Sequence, residues 1–402
     1  MKKGAAAVSV PAVSALLQRW RPVIQYDSHE SFFADSCAMM TDRVTPGTGG
    51  SRRCNTLKNA AGKVIASAKP SAGQPQLDLG FLRRKYAIGR AAHHNDYLDA
   101  TGRDHVADAR RMHALPQYRN KVYGHAVPDE QGRLWLQYWL FYYYNDKAFM
   151  GIGLHEGDWE MVQIRLDRQY RPNVLTYSQH LEGARNSWAN VVRAQTTDGP
   201  VPVVFSARGA HACYFRPGVY KEAPVVPDYC DARGLRVRPD VVVISNNSPA
   251  WVRWPGLWGS TRRRNFVESP SPRGPMQHWN WKDPDIFHNK ARPTPHRGPR
   301  VRSSQPLPPA PTIAVHRDDG HAVIDYRFKR PTGNQPEPVG IVVSLDAPDD
   351  ELPPATYNFP VTGLQGSIEH PLELGPHPYE VRVTAYSQGG NAGAAVTRKL
   401  GS

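Results

Sequence analysis

The run His155-Glu156-Gly157-Asp158-Trp159-Glu160-Met161-Val162-Gln163-Ile164-Arg165-Leu166 alternates polar and apolar residues in its second half, as a strand does. Its first half carries three acid/base groups: His155, Asp158 and Glu160. In an extended chain, residues two apart point to the same side. Asp158 and Glu160 therefore share a face with Val162, Ile164 and Leu166. Carboxylates lead straight into a row of aliphatics, and carboxylates are rarely buried unless paired, protonated or bound to a cation. His155 has the wrong parity for that face, and Gly157 supplies a kink that brings it round. An oxygen-rich set with one imidazole suits Ca, Mg or Mn better than a structural zinc. A plain strand entry with solvated acids fits the same residues.

Working outward, residues 134–144 form a long aromatic strand that ends in the turn signal Asn145-Asp146. Asn173-Val174-Leu175-Thr176-Tyr177-Ser178-Gln179-His180 reads as another strand, and residues 201–206 as a third that runs into Ala207-Arg208-Gly209-Ala210-His211. Several strands thus end in polar groups that gather at one rim. Elsewhere, residues 8–20 are expected to be helical. Residues 28–42 are expected to form a helix with Phe32, Phe33, Met39 and Met40 as its stripe. Residues 46–75 read as a loop or small hairpin, and residues 241–245 as a short apolar strand. His93, His94, His105 and His113 lack i,i+4 spacing and are discounted as a second metal site.

Over residues 269–311 prolines and arginines accumulate, with almost no acids after Asp285 in that stretch, which reads as a final aromatic piece of the main domain followed by an extended basic linker. Beyond it, strand-like runs recur at short intervals: 312–315, 321–328, 340–344 and 379–386. The expected organisation is a leader over 1–17, a main β-sandwich domain over 18–288, the linker over 289–311 and a second module over 312–402.

At 402 residues the chain is long enough for two or more domains. Its net charge of +14 favours an anionic partner, and no recognised nucleic-acid motif accompanies that charge. No apolar run is long enough for a transmembrane helix. The start, Met1-Lys2-Lys3 and a weak apolar part interrupted by Pro11, lacks a clear cleavage site and is a poor signal peptide. Four cysteines are present. Cys213 and Cys230 flank one loop; a disulfide between them and scattered reduced thiols both remain open.

The aromatic strand, His-Glu-Gly-Asp-Trp-Glu, Tyr-Ser-Gln-His and Ser-Ala-Arg-Gly-Ala-His together resemble the vacuolar-protein-sorting-associated family of fungi, plants and bacteria, as does the opening Arg21-Pro22-Val23-Ile24-Gln25-Tyr26-Asp27-Ser28-His29-Glu30. More distantly, residues 154–160 resemble the Gly-His-Arg-His-Asp-Trp-Glu heptapeptide of the necrosis-inducing cytolysins of plant pathogens. That resemblance implies a divalent-cation site at Asp146, His155, Asp158 and Glu160. The chain departs from it at Leu154, Glu156 and Gly157, which alters the charge around the cation and puts recognition of the same lipid head group in doubt. Residues 379–390 resemble the penultimate strand and turn of a fibronectin type III domain. Tyr379 would be its corner tyrosine, with Val381, Val383 and Ala385 facing the core. The usual tryptophan of the second strand is absent, so Ile324 or Tyr326 fills its place.

The expected fold is mostly β: a β-sandwich with peripheral helices, then a fibronectin type III-like sandwich. The expected function is divalent-cation-dependent binding of an anionic or hydroxyl-rich ligand, such as a glycan or lipid head group, with peripheral membrane contact. Asp146, His155, Asp158 and Glu160 are the metal ligands. Ser178, Gln179, His180, Arg208 and His211 contact the ligand, His180 and His211 standing second in line for the metal. Two alternatives are carried. One is a metal-dependent hydrolase of an ester or glycosidic bond, with Glu160 or His211 as base; no nucleophile elbow is present, and the Asp158/Glu160 spacing is tight for a glycosidase. The other is a purely structural metal, with interaction through the terminal module.

Overall fold

The computed structural model describes residues 10–42, 54–101, 105–147, 154–180, 182–220, 227–260, 271–294, 307–318, 321–346, 355–361, 363–374, 378–387 and 393–401. The start of the expected leader, residues 46–53 of the expected loop and residues 295–306 of the expected linker lie outside them.

Helix α1 (Val10–Trp20) leads into strand β1 (Val23–Tyr26). A hairpin, Thr56–Lys58 with Val64–Ser67, and helix α2 (His105–His113) follow. The central strands are β2 (Lys121–Pro128), β3 (Leu134–Asn145), β4 (His155–Leu166), β5 (Pro172–Gln179), β6 (Glu182–Ser187), β7 (Arg193–Thr196) and β8 (Gly199–Ser206). Then come β9 (Arg236–Val237), β10 (Asp240–Val243) and helix α3 (Pro284–Lys290).

Two sheets form the sandwich. The larger has seven strands in the order β10-β2-β3-β4-β5-β6 and Arg292–Pro293. Its centre is an antiparallel meander of β2 to β6, which short turns allow. The smaller sheet runs β7-β8-β1-β9, with Cys213–Tyr214 paired on β8. Tyr138, Tyr142 and Tyr177 project from the large sheet toward the small one and its flanks. The Tyr142 hydroxyl meets Ser206 Oγ at 3.2 Å, and the Tyr138 hydroxyl donates to Leu17 O at 2.9 Å.

The opposite face of the large sheet is covered by aromatic loops and α3, so β3 and β4 are buried on both sides. Trp159 meets Trp258 edge-on at 5.3 Å and Phe141 at 5.0 Å. His125 stacks on Trp281 at 3.6 Å. Each such ring pair contributes ~0.5–1.5 kcal/mol beyond the area it buries.

The expected helix over 28–42 is not there. The segment is irregular, with a turn at Ser28–His29 and a 3₁₀ turn at Cys37–Thr41. It threads the core, so almost every residue is buried and no solvated helix face exists. Its backbone groups bond to other elements instead: Ala34 N to the Tyr26 hydroxyl at 2.8 Å, and Asp35 N to Phe141 O at 3.0 Å.

Residues 312–401 build a second sandwich with its own core. Three strands, Thr312–Asp318, His321–Arg327 and Gln365–Glu373, face four: Ala355–Pro360, Pro338–Asp346, Tyr379–Ser387 and Val396–Leu400. Val381, Val383 and Ala385 point into that core and are fully buried. Ile324, also fully buried, stands in the second strand where the tryptophan is missing. No helix among the described residues is long and apolar enough to cross a membrane. All four cysteines are free thiols. Cys213 Sγ faces His211 O at 3.6 Å and Cys230 Sγ faces Ser206 O at 3.4 Å.

Candidate functional site

Register sets the site. Tyr142 lies opposite Asp158, Leu140 opposite Glu160, and Asn145 opposite His155. Asp158 and Glu160 are each only 7 % exposed and face the sandwich interior. Gly157 has φ +62°, and a Cβ there would strike the carbonyl of Trp258. That left-handed residue separates its neighbours. Glu156 turns away, accepting hydrogen bonds from Ala100 N at 3.0 Å and Ser260 N at 2.9 Å. Asp158 turns inward, to Nδ1 of His211 at 2.8 Å.

His211 is the centre of the cluster. It is fully buried, and its ring lies flat on Tyr142 at 3.9 Å. Its Nε2 has no hydrogen-bond partner; the nearest carboxylate oxygen is Glu30 Oε1 at 3.7 Å. Glu30 reaches in from the N-terminal segment. It accepts from Ser31 N and Phe32 N at 2.9 Å and from Gly209 N at 2.8 Å, and so clamps the turn that carries His211. Gly209 has φ +67°, and a Cβ there would collide with Oδ1 of Asp146. Asp146 is exposed as a residue, but its carboxyl end is covered by this turn.

The charges are strongly interdependent. Burial alone would raise the Asp158 carboxyl, but the His211 hydrogen bond and the nearby His155 and His180 hold it below the usual range. Burial and the adjacent Asp158 charge push Glu160 well above its ordinary value, against the hydrogen bond from Ser178. Burial and Glu30 push Asp146 up to about 6, opposed by His211 and Arg208. Burial would lower His211, but Glu30 and Asp158 overcome it and raise the imidazole to about 10.

The predicted residues divide into those drawn to this cluster and those bonded beside it. Asp146, Asp158 and Glu160 surround His211. His155 stands at the edge, its Nδ1 on Gly157 O at 2.7 Å. No three of the four predicted ligands bring their atoms within 4.8 Å of one another. Among the described residues only Asp27, His29 and Asp231 do. In that triad the Asp27 carboxylate accepts from His29 N and Asp231 N, and the Asp231 carboxylate from Ser28 N and Arg233 N, so the carboxylates staple β1 to the loop after residue 230. Ser178 Oγ bonds Glu160 and Met161 N, and Gln179 Nε2 bonds Cys213 O at 3.0 Å. Arg208 lies over the Tyr229 ring at 5.0 Å.

Sequence reasoning missed Glu30, Lys147 and Asp228. Glu30 stood in the Asp27-Ser28-His29-Glu30 run but was assigned to a helix. Asp228, on Lys147 and on His180 Nε2 at 2.7 Å, opens the short strand Asp228–Cys230, which pairs with Gly218–Tyr220 and is too short to show a pattern.

No protein-family model and no curated protein matches the chain, so the vacuolar-protein-sorting resemblance has no counterpart there. Solved structures do resemble it. Among them are NLPPya in complex with glucosamine (11% identity, 71% of this chain and 92% of that one, TM-score 0.32) and Necrosis and Ethylene inducing Protein 2 from the causal agent of cocoa's Witches Broom disease (13%, 60% and 77%, TM-score 0.25). The FN5 domain of Drosophila Lar resembles a smaller part (16%, 24% and 98%, TM-score 0.18). Such TM-scores are too low to carry an argument.

Proposed function

We propose that this rim binds one divalent cation and, with it, a hydroxyl-rich or anionic head group of a glycan or lipid. The observation that carries the reading is the charge imbalance around His211. Four carboxyl groups, Glu30, Asp146, Asp158 and Glu160, crowd a single fully buried imidazole. Buried charge of one sign needs a partner, and two of these carboxyls are pushed toward their neutral forms.

The donor set fits a hard cation. Asp158 keeps Oδ1, Glu160 keeps Oε1 and His155 keeps Nε2 outside the hydrogen bonds described above. Oxygen-rich sets of this kind suit Ca, Mg or Mn. The ligand atoms stand further apart than bound ligands do, so cation uptake entails their closing together. The basic side chains Lys147 and Arg208 lie close by and suit an anionic or hydroxyl-bearing ligand.

Elemental analysis and calorimetric titration with Ca, Mg and Mn test the reading. Wild type should take up one ion per chain, and Asp158→Ala should lose it. A wild-type protein that neither holds nor binds a divalent cation would overturn the proposal.

A further inference from the structure

Asp228 is a carboxylate with no exposed surface beside this rim. Three donors converge on it: His180 Nε2 at 2.7 Å, the Tyr214 hydroxyl at 2.5 Å and Lys147 Nζ. Tyr214 is in turn held against the Tyr220 ring, at 3.6 Å. One of these three donors, His180, reaches the surface. The His180 side chain is 38 % exposed while that of Asp228 is fully covered, so the ring spans from the buried carboxylate to the surface.

His180 also has φ +54°, a left-handed conformation that non-glycine residues rarely adopt. Strained backbone of this kind clusters at functional sites. His211, at the same rim, pairs the same two features: φ +57° and one ring nitrogen on a buried carboxylate. His180 is close enough to influence Asp158 electrostatically, and Asp228 to influence Glu160.

We propose that Asp228 is a positioning residue that makes His180 the hydrogen-bond acceptor for a ligand hydroxyl. The inference rests on the head-group reading above and names the chemistry that His180 recognises. An ionised carboxylate only accepts, so it takes the Nε2–H and leaves the lone pair of the neutral ring on Nδ1. A lone pair at an open rim accepts an O–H from a sugar or a glycerol moiety. Lys147, on the same carboxylate, holds a second polar group next to it.

Nitrogen-15 NMR of the His180 ring, followed through a pH titration to the plateau of its neutral form, needs neither cation nor ligand. The expected state is a proton on Nε2 and a lone pair on Nδ1, with that preference lost in Asp228→Ala. A proton on Nδ1 in wild type would overturn the proposal. Should Asp228→Ala fail to fold, His180→Phe serves, since it keeps the bulk of a ring but offers no acceptor, and Asp228 keeps Lys147 and the Tyr214 hydroxyl. With Ca present, methyl glucoside and glycerol are then titrated separately by ligand-observed NMR. His180→Phe should weaken the better of the two by about tenfold, read at a Ca concentration that saturates each protein. Unchanged affinity, or no binding of either probe to wild type, would overturn the proposal. Failed Ca uptake would count instead against the cation reading, and the tautomer would then decide this one.

Discussion

Gly157 shows how one residue aims the site. Its left-handed φ lets Glu156 and Asp158, two apart in the chain, serve different neighbourhoods: one the 100 and 260 loops, the other His211. Any side chain at 157 meets both an unfavourable φ and the Trp258 carbonyl. Gly157→Ala should therefore cost about 2–4 kcal/mol, measured by urea unfolding, and weaken cation uptake as Asp158 shifts. A neutral result would show that the β4 entry relaxes freely. The sequence marked Gly157 as a break that would swing His155 toward the acids; in the structure its φ separates Glu156 from Asp158, and His155 stays at the edge. The role of His211 as the hub was not legible in the sequence, because its contacts with Glu30 and Asp158 join residues far apart in the chain.

At the scale of elements, the aromatic meander was readable because β3 and β4 carry long, unbroken runs of strand-forming residues. The 28–42 segment misled because its apolar residues signal burial without saying on how many sides. α3 and the loop before it cover the outer face of the large sheet through histidines kept neutral. Burial lowers His125 to about 4; burial and nearby arginines lower His288 to about 4. Both values lie below the ordinary one near 6.5, so in the intervening window the unfolded chain binds protons that the folded chain does not. Stability should then fall as pH drops from about 7 to about 5, by up to ~1.4 kcal/mol per unit for each ring. Urea unfolding across that range checks it. Replacing both histidines by glutamine should flatten the profile, and an unchanged slope would assign the effect to other groups.

At the scale of the molecule, the two hydrophobic cores draw on separate parts of the chain, and the terminal sandwich fills its own interior. Arg233 Nη1 donates to Gly393 O at 2.6 Å, a polar tie rather than a shared core. A chain ending at Pro311 should melt cooperatively in calorimetry and keep its cation uptake. Loss of uptake would assign the terminal module a part in the site. The strand periods, the mostly β class and the alternation that buries Asp158 and Glu160 were in the sequence, because side-chain parity is a local property of an extended chain. The cluster itself was decided only in three dimensions. Glu30, Asp146, Asp158, Glu160 and His211 come from four separated segments, and the pairing of β1 with β8 brings the first and last of those segments together. No spacing along the chain encodes a contact made by packing one sheet on another.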